Sequence, residues 1–488
     1  MRGHQSNMQS IVKRKIREED DCEADRKVKA TYVPQNDEKV SEQETTQQEE
    51  YAQCSIPGLR FATESWTGMK TSNEDRHIAS TRDFPGPVFG IFDGHGGTFS
   101  ADFLARQLVK TVSTEIKQKI GARALADMQR LHELSKHESI RRDALVEQIK
   151  LLRDQLAEVG AIMSEPASPN LGRSKVSNAS DTDDVRDLFD QLTTTILQMD
   201  SEVNHIDVEE ATRQGARLQW FERQDNNILA SFKDAFERVD KQILKKNSSQ
   251  DGSTALLVWF LDHSTSSSGN EIKNGKQPMK DLMFYTVNVG DCRAVMCRGG
   301  QGVSLTSDHK PDRPDEKQRI EKAGGFVSKI AGIARVYSAA GAGLALKQET
   351  STYLAVSRAF GDRSLKIPTQ LVSCEPEVKR FQLQNDDLFL VMACDGVWDV
   401  LSEQEVVDIA LPLFRDAKAA ADAVIKAAYK KGSVDNLTAT VVQFGWKSDA
   451  QVQRTIESNK ATKSSTPKGR NEEAKVDDSD EEIDMFNL

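Results

Sequence analysis

The chain has 488 residues and a formal net charge of -11 at pH 7, too long for one ordinary domain, so two or three units are expected. Hydrophobic residues make up 38% and charged residues 29%, which predicts that part of the chain joins no core. The acidic balance excludes a general nucleic-acid or membrane-surface binder, and the longest apolar runs, TALLVWFL and LFLVMAC, are strand-sized and too short to span a bilayer.

Residues 1–54 are polar, with KRKIREEDD followed by a Glu/Gln-rich stretch, and are expected to be disordered. KRKIR reads as a solvated charge run in preference to an import patch. The opening MRGHQSNMQS has no apolar h-region and carries Arg2, so neither a secretory signal nor N-myristoylation is expected. The six cysteines form no CxxC pair, which is intracellular usage and predicts a protein of the cytoplasm or nucleus.

Residues 55–112 alternate short strand-like runs with turns and open a helix at about Thr98. Residues 113–227 contain no convincing strand. Leu145, Ile149, Leu152, Leu156 and Val159 step by four and three, and Leu188, Leu192, Ile196, Met199 and Val203 step in a similar way. Between these seams lies SEPASPNLGRSKVSNASDTDD. The pattern predicts two long helices in an antiparallel hairpin that projects from the globular body. From residue 228 the strand pattern resumes with TALLVWFL, LMFYTVNVG, CRAVMCRGG, LFLVMACDG and LTATVVQF, and helices are predicted at about 314–323, 402–412 and 416–431. Residues 446–488, with KSSTPKGR and DDSDEEIDMF, read as a disordered acidic tail. Consecutive strands with hairpin-like connections predict an α+β fold of antiparallel sheets flanked by helices.

Several acids sit beside these strands. FGIFDGHGG ends an apolar run on Asp93, NED supplies Glu74 and Asp75, and VNVGDCRAV puts Asp291 at a turn. FLVMACDGVWD drives a strand into Asp395 with Asp399 four residues on, and Asp435 precedes the last strand. Each alone is a common turn or cap. Together they predict a carboxylate cluster on rigid strand ends, which repels itself without a cation. An all-oxygen donor set suits Mg²⁺ or Mn²⁺, and no Cys/His spacing suggests zinc.

The set NED, FGIFDGHGG, DGSTALLVWF, VGDCRAV, DHKPDRPDEKQRIEKAGG, LAVSRAFGD, ACDGVWDVLS and DNLTATVV resembles the type 2C family of metal-dependent serine/threonine phosphatases, in the family's order, over about 60–112 and 228–445. The resemblance implies a phosphatase domain over 55–445, interrupted by the 113–227 insertion. It implies a central antiparallel β-sandwich with helices on both faces, four αββα layers, and a two-metal site in the cleft between the sheets. It implies that Asp93 bridges both metals with the Gly94 carbonyl as a further ligand, and that Asp395 and Asp435 complete the set. Glu74 and Asp75 would act through water, Asp291 and Asp399 at a third, weaker ion, and His95 as general acid. The substrates implied are phosphorylated proteins, and the insertion would serve partner binding or self-association. Cys394, inside an apolar run, is expected buried and need not be a nucleophile. His309, Arg358 and Asp362 read as structural, with a buried ion pair the simplest role for the last two.

Two departures from the family pattern stand out. The family's phosphate-holding Arg is replaced by Lys70, which keeps the charge and loses the two-pronged donor. The flap region, about 333–353, carries a small-residue run, and substrate choice is expected there. The competing reading is a phosphatase-like scaffold that works through its insertion. The retained acids argue against it, and the absence of an evident basic groove argues against a two-metal nuclease.

Overall fold

The computed structural model describes residues 54–164, 179–246, 250–262, 282–338 and 353–465, except Pro57 and Arg82. The expected polar N-terminal region, residues 165–178 of the hinge expected over 164–184, part of the flap at 339–352 and the acidic end at 466–488 lie outside the described residues, while the last part of that hinge, 179–184, is already helical.

Two five-stranded antiparallel sheets form the body. One has the order β1 (Leu59–Trp66), β16 (Leu437–Phe444), β15 (Asp387–Ala393), β8 (Arg293–Arg298) and β9 (Gln301–Ser304). The other has the order β14 (Glu377–Gln382), β7 (Met283–Val289), β6 (Ala255–Phe260), β3 (Val88–Phe92) and β2 (Arg76–Ser80). Strand parity sorts the side chains between layers. Phe89 and Ile91 point between the sheets, where they join Val258, Phe260, Leu390, Met392 and Val442. Val88 and Phe92 point outward with Leu257 and Trp259, under α1 (Phe99–Ile120) and α3 (Ala179–Lys246). On the other sheet Val391 and Val441 face α6 (Glu403–Ala410) and α7 (Ala417–Lys430). Both faces of the central strands are therefore covered, which is why they read as continuous apolar runs. Each fully buried side chain contributes about 1.5–3 kcal/mol. The layers are those expected, helices on either side of an antiparallel sandwich.

The arm differs from the expectation at its base. Gly121, with φ +83°, ends α1, and α2 (Ala122–Ser164) starts anew. Helix α3 crosses residue 227 without a break and buries Ile228, Phe232, Phe236, Val239 and Ile243 against the sheet. The boundaries drawn at 113 and 227 are therefore not breaks in the fold, because the apolar stripe of the second arm helix passes directly into the core. Helices α2 and α3 run antiparallel. Arg153 pairs with Asp200 (2.8 Å) and Arg142 with Asp207 (2.6 Å), while Trp220 Nε1 donates to the Ala124 carbonyl (3.0 Å). Ile149 and Ile196 are buried in the seam, and Leu188 is exposed.

Residues 446–465 also differ from the expected tail. Trp446 and Val452 are buried, and α8 (Asp449–Ser465) is helical. Asn459 Nδ2 donates to Gly300 O (2.8 Å). A few apolar residues spaced for one helix face anchored this segment, a signal that its overall polarity masks. No helix among the described residues is long and apolar enough to cross a membrane.

A smaller sheet, β10 (Gly325–Ile330), β11 (Ile333–Ser338) and β12 (Tyr353–Leu354), flanks α4 (Pro314–Lys322). Here Arg358 forms a buried ion pair, with Glu316 and not Asp362 as its partner. Arg358 Nη2 donates to Glu316 Oε1 (2.7 Å) and Arg319 Nη2 to Oε2 (2.9 Å), and Glu316 is 1% exposed. Burial pushes the Glu316 carboxyl up, and the donors from Arg358, Arg319 and Ser357 outweigh it, bringing it down to about 2. A folded-state value below the unfolded one stabilises the fold above about pH 4.5, and the stabilisation is lost as pH falls through about 2. Glu316→Gln should therefore cost about 3 kcal/mol at pH 7 in urea unfolding, and the difference from the parent should shrink steadily on acidification. A pH-independent difference would contradict the ion-pair account.

Candidate metal centre

The strand pairings bring the acids to one end of the sandwich. Asp93 follows β3, and Asp75 precedes β2, which runs antiparallel to β3. Strand β7 is antiparallel to β6, itself antiparallel to β3, so Asp291 after β7 arrives at the same end. In the other sheet Asp395 follows β15 and opens the short helix α5 (Asp395–Trp398), and Asp435 precedes the antiparallel β16. Trp66 pairs with Leu437, so the 67–74 loop with Lys70 and Glu74 leaves β1 there too.

The local backbone is pinned. Thr254 N donates to Asp93 O (2.8 Å), and Asp93 N donates to Thr254 Oγ1 (3.2 Å). Asn436 Oδ1 accepts from Glu74 N (2.9 Å), while its Nδ2 donates to the carbonyls of Thr67 (2.8 Å) and Ser72 (2.9 Å). One side chain thus ties the Glu74 loop to Asp435. Gly94 is needed for close approach, because a Cβ there would lie 2.5 Å from Glu74 O. Asp251, fixed by donors from Phe99 N (3.1 Å) and Ser100 Oγ (2.8 Å), holds the DGHGG turn onto α1.

Electrostatics mark the cluster. Burial first, then the charges of Asp75, Asp395, Asp291 and Asp435, push the Asp93 carboxyl well above the usual carboxylate range. Asp395 is pushed up to about 8 by burial and by Asp291 and Asp399, with Lys310 pulling the other way. Burial also raises Asp75 and Asp399. Asp75 Oδ2 accepts from Thr438 Oγ1 (2.6 Å), and its buried Oδ1 has no hydrogen-bond partner. Asp75, Asp93 and Cys394 each place a ligand atom within 4.8 Å of the others. An orphaned buried carboxylate oxygen, beside acids that are hard to ionise together, is what a hard divalent cation satisfies, so the residues fit such an ion. The Cys394 thiol, 0% exposed, is pushed up by burial and by Asp75 and Asp93 and is no nucleophile.

Two lysines face the cluster. Lys70 Nζ lies 2.9 Å from Asp435 Oδ1, and both side chains are half-exposed. Lys310 pairs with Asp291. Burial would lower the Lys310 ammonium, but Asp291 and, less strongly, Asp395 and Asp399 raise it. Sequence reasoning missed Lys310, although it stands beside His309 in a quoted motif. His309 itself is buried and structural: its Nδ1 accepts from Gly290 N (3.1 Å) and so braces the turn that carries Asp291.

His95 meets an unanticipated partner. Its Nε2 lies 2.8 Å from Asp362 Oδ1, so Asp362 is not merely structural and does not pair with Arg358. Burial pulls the His95 imidazolium down, and the Asp362 carboxylate more than offsets this, leaving it above its ordinary value. The two side chains meet over Gly252, where a Cβ would fall 2.2 Å from Asp362 Oδ2 and 2.5 Å from His95 Nε2. Sequence spacing could not reveal a pair separated by more than half the chain.

Residues 169–437 match the family model described as Protein phosphatase 2C, more than half of the chain. The match leaves the 70–95 segment, with Lys70, Asp93 and His95, outside its bounds. The "Probable protein phosphatase 2C 59" of Arabidopsis thaliana is 38% identical over 225 residues, covering 45% of this chain and 59% of that protein. The "Probable protein phosphatase 2C 45" of Oryza sativa subsp. japonica is 38% identical over 213 residues, covering 43% of this chain and 62% of that protein. The chain thus spans about three-fifths of the length of these curated relatives. Among solved structures, the "serine-threonine phosphatase 2C from Toxoplasma gondii" aligns at a TM-score of 0.47 and 20% identity, over 80% of this chain and 96% of that one. The extent of the family match decides the assignment: the chain belongs to the protein phosphatase 2C family.

Proposed function

We propose that the chain is a metal-dependent protein phosphatase that hydrolyses phosphoserine and phosphothreonine in proteins. The observation that carries this reading is the convergence of Asp75, Asp93, Asp291, Asp395 and Asp435 at one end of the sandwich, with Asp93 and Asp395 held far above ordinary carboxylate values. Asp93, the Gly94 carbonyl, Glu74, Asp75, Asp395 and Asp435 would hold two Mg²⁺ or Mn²⁺ ions, and Asp291 and Asp399 a third, weaker one. Bound there, the ions supply Lewis-acid chemistry, neutralising the carboxylates, lowering the pKa of water and taking up phosphate charge.

The chain's own residues do the rest. Thr438 occupies Asp75 Oδ2 and leaves Oδ1 for the cation site. Asp362 occupies His95 Nε2, so the proton available to a departing serine or threonine oxygen sits on Nδ1. The Asp362 carboxylate leaves the imidazolium above its ordinary value despite burial, which favours the protonated ring. Lys70 offers its ammonium to a phosphate oxygen as a single point charge, exchanging Asp435 for the substrate.

The test is hydrolysis of a phosphothreonine peptide across a Mn²⁺ titration. The parent should require the ion, and Asp93→Asn should lower turnover by roughly a hundredfold or more at saturating Mn²⁺. Near-parent turnover of that variant would refute the carboxylate centre. For Lys70→Ala, kcat/KM should fall by roughly ten- to a thousandfold while the half-saturating Mn²⁺ concentration barely moves. Lys70→Arg should retain activity. Unchanged efficiency in the alanine variant would make Lys70 a surface ion-pair residue only.

A further inference from the structure

Three two-residue strands assemble the floor beneath His95. Strand β4 (Gly94–His95) pairs with β5 (Gly252–Ser253), which pairs with β13 (Phe360–Gly361), so that His95 lies opposite Gly252 and Gly252 opposite Gly361. The next residue is Asp362, at φ 50° and ψ 50°, a left-handed conformation for a residue that is not glycine. Such a conformation persists only where the surroundings hold it. Asp362 N donates to Asp251 O (3.0 Å). Ala359 N donates to Ser373 O (3.0 Å) and Leu371 N to Leu365 O (2.8 Å), and further restraints come from helix α3, the helix that continues out into the arm.

Asp240 Oδ1 accepts from Gly361 N (2.9 Å) and from Lys366 Nζ (2.7 Å), and the same Nζ donates to Ala359 O (2.7 Å). Phe236, one turn earlier, packs on Phe360 with ring centroids 5.2 Å apart, and Arg363 Nη1 donates to Leu244 O (2.7 Å). Asp240 is 4% exposed and Lys366 6%. A buried ion pair is a poor route to stability, since apolar residues of similar volume are often as good. What this pair does that apolar residues cannot is fasten both ends of the 359–366 loop to one carboxylate.

We propose that Asp240 is a positioning residue for the His95–Asp362 pair, holding the 359–366 loop in the conformation that presents Asp362 to His95. The proposal rests on the reading of His95 as proton donor. Loosening the loop withdraws Asp362 without touching the carboxylate centre or Lys70, so catalysis suffers and substrate binding does not.

The experiment compares two double variants. Asp240→Leu/Lys366→Met removes both charges and the acceptor for Gly361 N, whereas Asp240→Asn/Lys366→Met removes the charges and keeps an acceptor. Each is assayed with a phosphothreonine peptide at saturating Mn²⁺, and each is followed by thermal melting and by amide hydrogen exchange over residues 359–366. The Leu/Met variant should lose roughly ten- to a hundredfold in kcat with KM within about twofold of the parent. Its Gly361 and Asp362 amides should exchange at least roughly tenfold faster. The Asn/Met variant should recover most of the kcat. In an Asp362→Asn background the Leu/Met change should cost little more, because the two act through one contact.

Parent-like kcat and loop protection in a folded Leu/Met variant would overturn the proposal. So would equal losses in both variants that simply follow their melting temperatures. Should the Leu/Met chain not fold, the Asn/Met chain decides: it keeps an acceptor for Gly361 N, so a roughly tenfold or greater loss of kcat, or of protection at Gly361 and Asp362, would overturn the proposal. A parent that hydrolyses no phosphopeptide would refute the phosphatase reading instead, and loop exchange alone would then judge the role of Asp240.

Discussion

The mutual repulsion of carboxylates buried at one end of the sandwich is the constraint on which the rest of this protein depends. Burial and four neighbouring acids hold Asp93 far above the ordinary carboxylate range, and Asp395 is pushed up to about 8. No fold gathers such groups by chance, since each resists ionisation in the presence of the others. The scaffold tolerates them because they stand on strand ends, whose stability comes from the apolar layers behind them. Val88, Phe89, Ile91 and Phe92 are all buried in the four residues around Gly90, one step before Asp93. The apolar core supplies what the acidic rim costs.

Around that rim the chain supplies cations and hydrogen bonds with a clear division of labour. Lys310 lies against Asp291, and Lys70 against Asp435. Thr438, Asn436 and Thr254 fix the orientation of Asp75, Glu74 and Asp93. His95 is set apart by Asp362, over the bare backbone of Gly252. Helix α3 belongs to two structures at once. Its first turns form the arm with α2, and its last turns carry Phe232 and Phe236 into the core and Asp240 to the loop beneath His95.

The sandwich was legible because period-two alternation and fully apolar runs report burial directly, as in TALLVWFL and LFLVMAC. The acids were legible because each follows or precedes such a run, and a strand end is a place the sequence marks. Asp362 and Lys310 were not legible as partners of His95 and Asp291. Their pairing is set by the small β4–β5–β13 sheet and by the turn that His309 braces, both products of long-range packing. The ends of the arm were misplaced for a related reason. A heptad seam and a core-facing stripe share nearly the same spacing, so residue 227 carries no mark where one becomes the other. Helix α8 was missed because its few buried residues, Val452 among them, sit in a strongly polar segment.

Calorimetric titration of the metal-free protein with Mn²⁺ at pH 7, in buffers of different ionisation enthalpy, tests the central claim most directly. The Asp395 carboxyl, pushed up to about 8, carries a proton at pH 7 that a bound cation must expel. Binding should therefore release about one proton or more per protein at pH 7, and the release should decline by pH 9, above the value of about 8 for Asp395. Mn²⁺ binding without proton release at pH 7, or no binding at all, would contradict the account of a strained carboxylate cluster built to receive divalent ions.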